Sequence, residues 1–345
     1  HPGQIGLTMG IYSFAAVLVR PYFGLLGDRF GRKKMMLMGA GFFTLLFPLY
    51  GAVDTVVSLY LLRIAHGFAH AAFLASSAAY VADLAPPDRR GEFLGIYGTA
   101  SVISMAIFPA GGIYVIQYTQ SFTFLFVICT ATAATAFLSV VPLGELNAPG
   151  GVRRVNLLDV GRRRVVLVPS LALFSGAVAY GAIVTFLPVF APQRGIDDFS
   201  IFFTVYAAAT LLSRVFAGKL SDRLGRRRVT LPFMALLAVG VFAMPFLNGT
   251  LLLAIIGVAF GLGFGAFMPT LYALVVDKTP PAERGSALGF YTSFMDLGIS
   301  AGAILLGLAG ERLGFAAMFT AAGAVILAGM AQFAIYTDND PPPSR

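Results

Sequence analysis

The stretch Arg20–Lys34 reads RPYFGLLGDRFGRKK, and Arg214–Arg228 reads RVFAGKLSDRLGRRR. An offset of 194 lays Arg214 on Arg20, Gly218 on Gly24, Asp222 on Asp28, Arg223 on Arg29, Gly225 on Gly31 and Arg226 on Arg32. Without a gap, the same offset carries Asp277, Pro280, Pro281, Arg284, Gly285, Leu288, Gly289 and Tyr291 onto Asp83, Pro86, Pro87, Arg90, Gly91, Leu94, Gly95 and Tyr97. Two copies of one multi-helix unit make up the chain, so any fold must be built from two similar halves.

What the repeats are made of decides where they live. Hydrophobic residues are 58% of the 345 and charged residues 12%, about half the roughly 25% charge of soluble domains. The apolar runs of about 17 to 25 residues match the length a helix needs to cross a bilayer. An all-α polytopic membrane protein is the expected class. The net charge of +8 does not point to nucleic acid, because the basic residues sit in short loops after every second helix. Loops with Arg29, Arg32, Lys33 and Lys34, with Arg89 and Arg90, with Arg153, Arg154 and Arg162–Arg164, with Arg223 and Arg226–Arg228, and with Lys278 and Arg284 fall on one side, against Arg194 and Arg312 on the other. That asymmetry assigns the first side to the cytoplasm. The single cysteine, Cys129, lies within an apolar run and is read as packing.

The expected spans are 5–26, 35–53, 56–83, 92–117 and 122–143 in the first repeat, then 165–190, 199–220, 229–247, 251–277, 286–310 and 315–336 in the second. Residues 1–143 form the first bundle, 144–164 a cytoplasmic linker rich in Pro, Gly, Asn and Arg, 165–336 the second bundle, and 337–345 a disordered cytoplasmic tail. His1 corresponds to Gly195, which follows the apolar run 165–190, and that run has no counterpart before His1. The first helix of the first repeat is therefore expected to be missing from this sequence, leaving 11 of 12 spans.

The doubled pattern G-x-x-x-D-R-x-G-R-[KR]-[KR] after the second and eighth helices, with six helices per repeat, resembles the major facilitator superfamily of secondary transporters. The resemblance implies two pseudo-symmetric six-helix bundles. It also implies a gating motif formed by Gly24, Asp28, Arg29, Gly31, Arg32 and Asp83 in one half and Gly218, Asp222, Arg223, Gly225, Arg226 and Asp277 in the other. The glycines Gly24, Gly27 and Gly31 suit a tight turn and close helix approach. Asp28 suits a helix N-terminus on the facing half and Arg32, and Asp83 is placed to pair with Arg29 or Arg32. Either the cluster latches the halves together or the basic run only sets topology.

On the fourth helix, Leu59–Gly67 reads LYLLRIAHG, similar to the family's l-x-x-R-x-x-q-G with His66 at the glutamine position. Arg63, His66 and His70 share one helical stripe, and an arginine near mid-membrane is costly unless it faces water or partners. Arg63 and His66 belong to a proton-coupling or substrate site, or they bond neighbouring helices; the offset places Gly257 opposite Arg63, an asymmetry that suits chemistry. On the fifth helix the family's antiporter pattern G-x8-G-x3-G-P-x2-G-G fits at Gly95, Pro109 and Gly112, whereas Ser104, Phe108 and Ile113 replace glycines. Its small residues suit packing against the eighth helix.

Arg20 and Arg214 recur near the cytoplasmic helix ends, which favours a structural role. Asp296 lies deep in the eleventh helix opposite Val102, and a buried carboxylate there can carry a proton, with Arg20 its expected partner. Phe14, Tyr22, Phe186, Tyr206, Phe264, Phe267, Tyr272 and Phe294 are candidates to line an apolar cavity. There is no nucleotide-cradling loop, no H-E-x-x-H and no nucleophile elbow, so no metal, cofactor or enzymatic activity is expected. The resemblance implies a monomer in the cell membrane, driven by an ion gradient, most naturally protons, and exporting small organic or amphipathic compounds by antiport. A proton-coupled importer of a sugar or organic anion and a transporter-like receptor are the alternatives.

Overall fold

The computed structural model describes residues 1–86, 90–146, 157–280 and 283–337. The described elements are helical: α1 (Pro2–Phe30), α2 (Arg32–Leu49), α3 (Val56–Leu84), α4 (Arg90–Thr119), α5 (Phe122–Val140), α6 (Leu157–Gly161), α7 (Arg164–Gln193), α8 (Ser200–Leu224), α9 (Arg226–Ala243), α10 (Thr250–Lys278) and α11 (Arg284–Tyr336), with single 3-10 turns at Tyr50–Ala52 and Met244–Phe246. Among the described residues nine segments are long and apolar enough to cross a membrane. The last of them bends at Gly314, whose φ of 83° divides α11 into two arms. The expected spans 286–310 and 315–336 are these arms.

The helices run further into the basic motif than expected. Helix α1 continues to Phe30 and α2 starts at Arg32, so Gly31 alone forms the turn, as Gly225 does between α8 and α9. Their φ values of 104° and 93° lie where residues with a Cβ are strained, which is why the motif carries a glycine at that place in both copies. The repeat extends to the corner between each half's last two long helices: Gln120, the counterpart of Gly314, also has positive φ, at 49°.

Packing divides the chain into two compact units. One contains His1–Leu7, Thr99–Gly111 and Val155–Arg345, the other Thr8–Gly98 and Gly112–Arg154. The sequence repeats and these units overlap without being identical, because the first turns of α1 pack with α11: a Cβ on Gly6 would fall on the Ala303 carbonyl.

In the first of these units α7 is buried along most of its length. Its neighbour α11 approaches it through glycine: a Cβ on Gly298 would lie 2.6 Å from the Phe174 carbonyl oxygen and 2.7 Å from the Ala177 methyl, and Gly302 lies as tightly on Val178. Helices α10 and α8 meet along a second stripe, in which Gly257, Gly261 and Gly265 face the carbonyls of Phe202, Tyr206 and Thr210. Since hydrocarbon chains are as apolar as leucine, such close backbone contact, rather than hydrophobic burial, holds membrane helices together. Around the stripe, Phe202, Tyr206, Phe260, Phe264 and Phe267 are fully buried. Phe186, Tyr206, Phe264 and Phe267 are thus core residues and not cavity lining, while Phe14 and Tyr22 are exposed.

In the other unit, Thr55 begins α3 with a reciprocal capping box to Ser58, and Ser121 caps α5 through the Phe124 N–H. The stretch 144–164 is more than a tether. At its start the Gly144 carbonyl accepts from the Tyr80 hydroxyl at 3.0 Å, and Leu143 and Leu146 pack on Met36, Tyr80 and Val140. At its end the short helix α6 buries Val160 and presses Gly161 under the Phe290 ring. There Arg163 makes a bidentate pair with Glu283, and Arg164 donates to the Tyr336 carbonyl at 3.2 Å. Most of the linker, residues 147–156, and the tail from 338 lie outside the described residues.

Candidate functional site

The two copies of the charged turn fold alike within their own units. Arg32 pairs with Asp83, and both side chains are 13% exposed. In the second copy Arg226 reaches Asp222 at 2.5 Å and Asp277 at 3.0 Å, and also the Ser221 hydroxyl at 2.6 Å. Arg32 and not Arg29 is therefore the partner of Asp83; Arg29 is exposed and lies over the Phe30 ring at 5.4 Å. A Cβ on Gly27 would lie 3.3 Å from the Ser76 hydroxyl oxygen, whereas one on Gly24 or Gly218 would meet no described atom within 4 Å. The Asp28 side chain lies outside the described residues, and Arg223 is exposed.

Sequence reasoning missed Glu145. Its carboxylate accepts the Lys33 N–H at 3.0 Å, at the start of α2 where helix N–H groups lack intrahelical partners. It also occupies the place a Gly31 side chain would need, with the carboxyl carbon 2.6 Å from the would-be Cβ. Gly31→Ala is therefore expected to destabilise the protein by about 2 kcal/mol, combining left-handed strain of about 1 kcal/mol with displacement of a capping carboxylate worth about 1 kcal/mol. Thermal unfolding in detergent checks this: Gly225→Ala carries the same strain, so a loss at position 31 no greater than at 225 would show that Glu145 contributes nothing.

The main polar cluster lies within the unit containing Thr8–Gly98. A Cβ at Gly67 would run into the Tyr12 carbonyl, so α3 and α1 nearly touch there, and that approach sets Tyr12 over the histidines. The Tyr12 hydroxyl bonds His70 Nδ1 at 2.8 Å, and its ring meets His66 edge-on at 6.1 Å. From the 3-10 turn after α2, the Tyr50 hydroxyl reaches His66 Nδ1 at 2.9 Å, and Arg63 lies 5.7 Å above the Tyr50 ring. Phe43 and Phe47 close on the His66 ring at 4.8 and 4.6 Å. The expected stripe of Arg63, His66 and His70 is thus one cluster; Tyr12, Tyr50, Phe43 and Phe47 are its unforeseen members.

Arg63 has no carboxylate partner among the described residues. Its Nη2 approaches only the Met9 sulfur, at 3.4 Å. Both its Nε and His66 Nε2 are buried without a hydrogen-bond partner, a condition costing about 1–3 kcal/mol per group.

The second repeat shows what this fold does at the same positions when packing alone matters. The offset lays Gly257, Phe260 and Phe264 on Arg63, His66 and His70, and Tyr206 on Tyr12. Gly261 meets the Tyr206 carbonyl just as Gly67 meets that of Tyr12. The helix crossing is shared, yet one copy is filled by glycine and phenylalanine and the other by three groups able to carry positive charge.

Arg20 and Asp296 fall in different units, and Asp296 is half-buried on α11. In the other half, the Tyr291 hydroxyl donates to the Met268 carbonyl at 3.0 Å. Its counterpart Tyr97 shares a 2.5 Å hydrogen bond with the Ser77 hydroxyl. On α4 the Gly95 side-chain position lies outside the described residues, and a Cβ at Gly112 would meet no described atom within 4 Å. Pro109 lies inside the helix.

A duplicated multi-pass helical bundle, with paired charged turns and an arginine among apolar spans, defines a membrane transporter. The chain belongs to the Major Facilitator Superfamily, whose sequence model matches residues 1–202 and again 196–345. Among its relatives, an MFS-type transporter of Methanocaldococcus jannaschii is 25% identical over 92% of this chain and 84% of its own length. The staphylopine export protein of Staphylococcus aureus is 23% identical over 94% of this chain and 84% of its own. The multidrug resistance protein MdtG of Yersinia enterocolitica is 25% identical over 93% and 80%.

Proposed function

We propose that this transporter exports small organic or amphipathic compounds in exchange for protons, its two halves alternating access to a central site. The observation that carries the reading is the asymmetry between Arg63, His66 and His70 in one repeat and Gly257, Phe260 and Phe264 in the other. Polar groups kept within apolar spans at some energetic cost mark substrate or ion paths. The names of two relatives, one a multidrug resistance protein and one an export protein, support the outward direction. Asp296 is the proton-carrying group in this reading, Arg20 belongs with Arg63 and His66 to the proton-coupling or substrate residues, and the Arg32–Asp83 and Arg226–Asp277 clusters are the gating elements. The gradient supplies about 2.3 kcal/mol per charge per 100 mV; no cofactor is required, the partners are a small-molecule substrate and the bilayer, and the working unit is a monomer. The linker and C-terminus face the cytoplasm.

The test is proton movement in liposomes holding the full-length protein, followed with an internal pH dye while cations, sugars and organic acids are added. A compound-dependent pH change is expected, reduced about tenfold or more by Arg63→Ala and by Asp296→Asn. Compound flux without any pH change would replace antiport by facilitated diffusion.

A further inference from the structure

We infer that the Arg63–His66 cluster is a binding subsite for the carboxylate of an organic acid with a flat, apolar body. The inference deepens the transport reading and rests on it only for the movement of the bound compound, not for the binding itself.

Donor bookkeeping carries the argument. Among the described residues Tyr50 has one hydrogen-bond partner, His66 Nδ1 at 2.9 Å. Since a phenol must give its proton to an acceptor to be satisfied, Tyr50 donates and Nδ1 accepts. A neutral imidazole whose Nδ1 accepts carries its proton on Nε2, and that atom has no partner among the described residues in a side chain only 3% exposed. Arg63 adds a guanidinium whose Nε is likewise buried and unmatched among the described residues, and whose polar contact there is a thioether, a weak acceptor. Two neighbouring positions therefore offer N–H groups and positive charge with no acceptor.

Such a site selects for an anion twice over. A carboxylate accepts in a planar, bidentate manner from guanidinium, whereas a cation or a metal ion would meet the charge of Arg63. The rings of Tyr12, Phe43, Phe47 and Tyr50 around the cluster suit an aromatic or flat apolar body. Nor is the polarity there to pack the helices: the same crossing in the second repeat is made with Gly257, Phe260 and Phe264.

The experiment uses 2-naphthoate, its neutral isostere 2-naphthamide and 2-naphthyltrimethylammonium, titrated onto the full-length protein in phosphatidylcholine vesicles without any gradient. The chain has no tryptophan, so naphthalene fluorescence reads binding over a tyrosine background. Naphthoate is expected to bind about tenfold more tightly than the amide, with the preference lost in Arg63→Gln and partly kept in Arg63→Lys. Absence of a preference, whether because both bind alike or neither binds, overturns the inference, as does tighter binding of the ammonium; neither outcome depends on how a variant folds. Carboxylate preference without flux of any compound would remove the transport reading alone. Flux of the ammonium without carboxylate preference would remove this inference alone.

Discussion

Asp83→Ala is expected to lower the unfolding free energy by about 3 kcal/mol, because it breaks a largely buried ion pair by removing one partner. Both side chains are only 13% exposed, so water cannot take the place of the lost carboxylate. The repeat supplies its own control. Asp277 makes the equivalent pair with Arg226, but it is 48% exposed. Asp277→Ala should therefore cost no more than about 1 kcal/mol. Chemical or thermal unfolding of the two variants in the same detergent decides the matter. The Arg32→Ala, Asp83→Ala double variant should cost less than the sum of the two single losses, since the two groups share one interaction. Equal losses at 83 and 277 would show that burial does not set the strength of these pairs.

Gly298→Leu should prevent the second bundle from assembling. Even the first carbon of a side chain at this position would lie 2.6 Å from the Phe174 carbonyl oxygen and 2.7 Å from the Ala177 methyl, and backbone cannot swing aside as a flexible side chain can. Separating α7 from α11 enough to admit leucine breaks the most intimate contact of a helix that is otherwise buried along most of its length. The expected loss exceeds the roughly 1–3 kcal/mol typical of overpacking, and it should appear as aggregation or loss of a monodisperse species in size-exclusion chromatography. Gly298→Ala is the graded version, with a loss of about 2 kcal/mol. Gly112→Ala on α4, where a Cβ meets no described atom within 4 Å, should change stability by less than about 1 kcal/mol. Tolerance of leucine at 298 would mean that the α7–α11 contact is looser than the structure has it.

The gating pairs were readable in advance because they depend only on local facts. Arg32 and Arg226 follow a glycine turn, Asp83 and Asp277 end a long apolar helix, and the charges that meet at one end of a bundle have few ways to pair. The Gly298–Gly302 contact was readable in principle, since G-I-S-A-G is a small-x-x-x-small pattern; the offset that puts Ser104 and Phe108 at the same positions of α4 points to it. The aromatic candidates were less legible. Nothing in the spacing of Phe186 or Phe264 distinguishes a residue buried among helices from one facing a cavity or lipid, because in hydrocarbon all three surroundings are apolar. Glu145 and Tyr50 were not legible either. Each reaches its partner from an element distant in sequence, and neither residue type advertises the contact.

By itself the sequence determined that the chain is a duplicated helical membrane protein of the major facilitator type. Periodicity, the length of the apolar runs and the 194-residue offset are properties of residues near one another or of copies compared with each other, so they survive without coordinates. Only the tertiary structure decided which groups meet. The rotation of each helix about its axis, and the depth at which glycines such as Gly67 allow it to approach its neighbour, bring Tyr12 and Tyr50 to the histidines and leave Arg63 without an acid among the described residues. Those contacts arise from crossing geometry between helices, a quantity that no single helix carries in its own sequence.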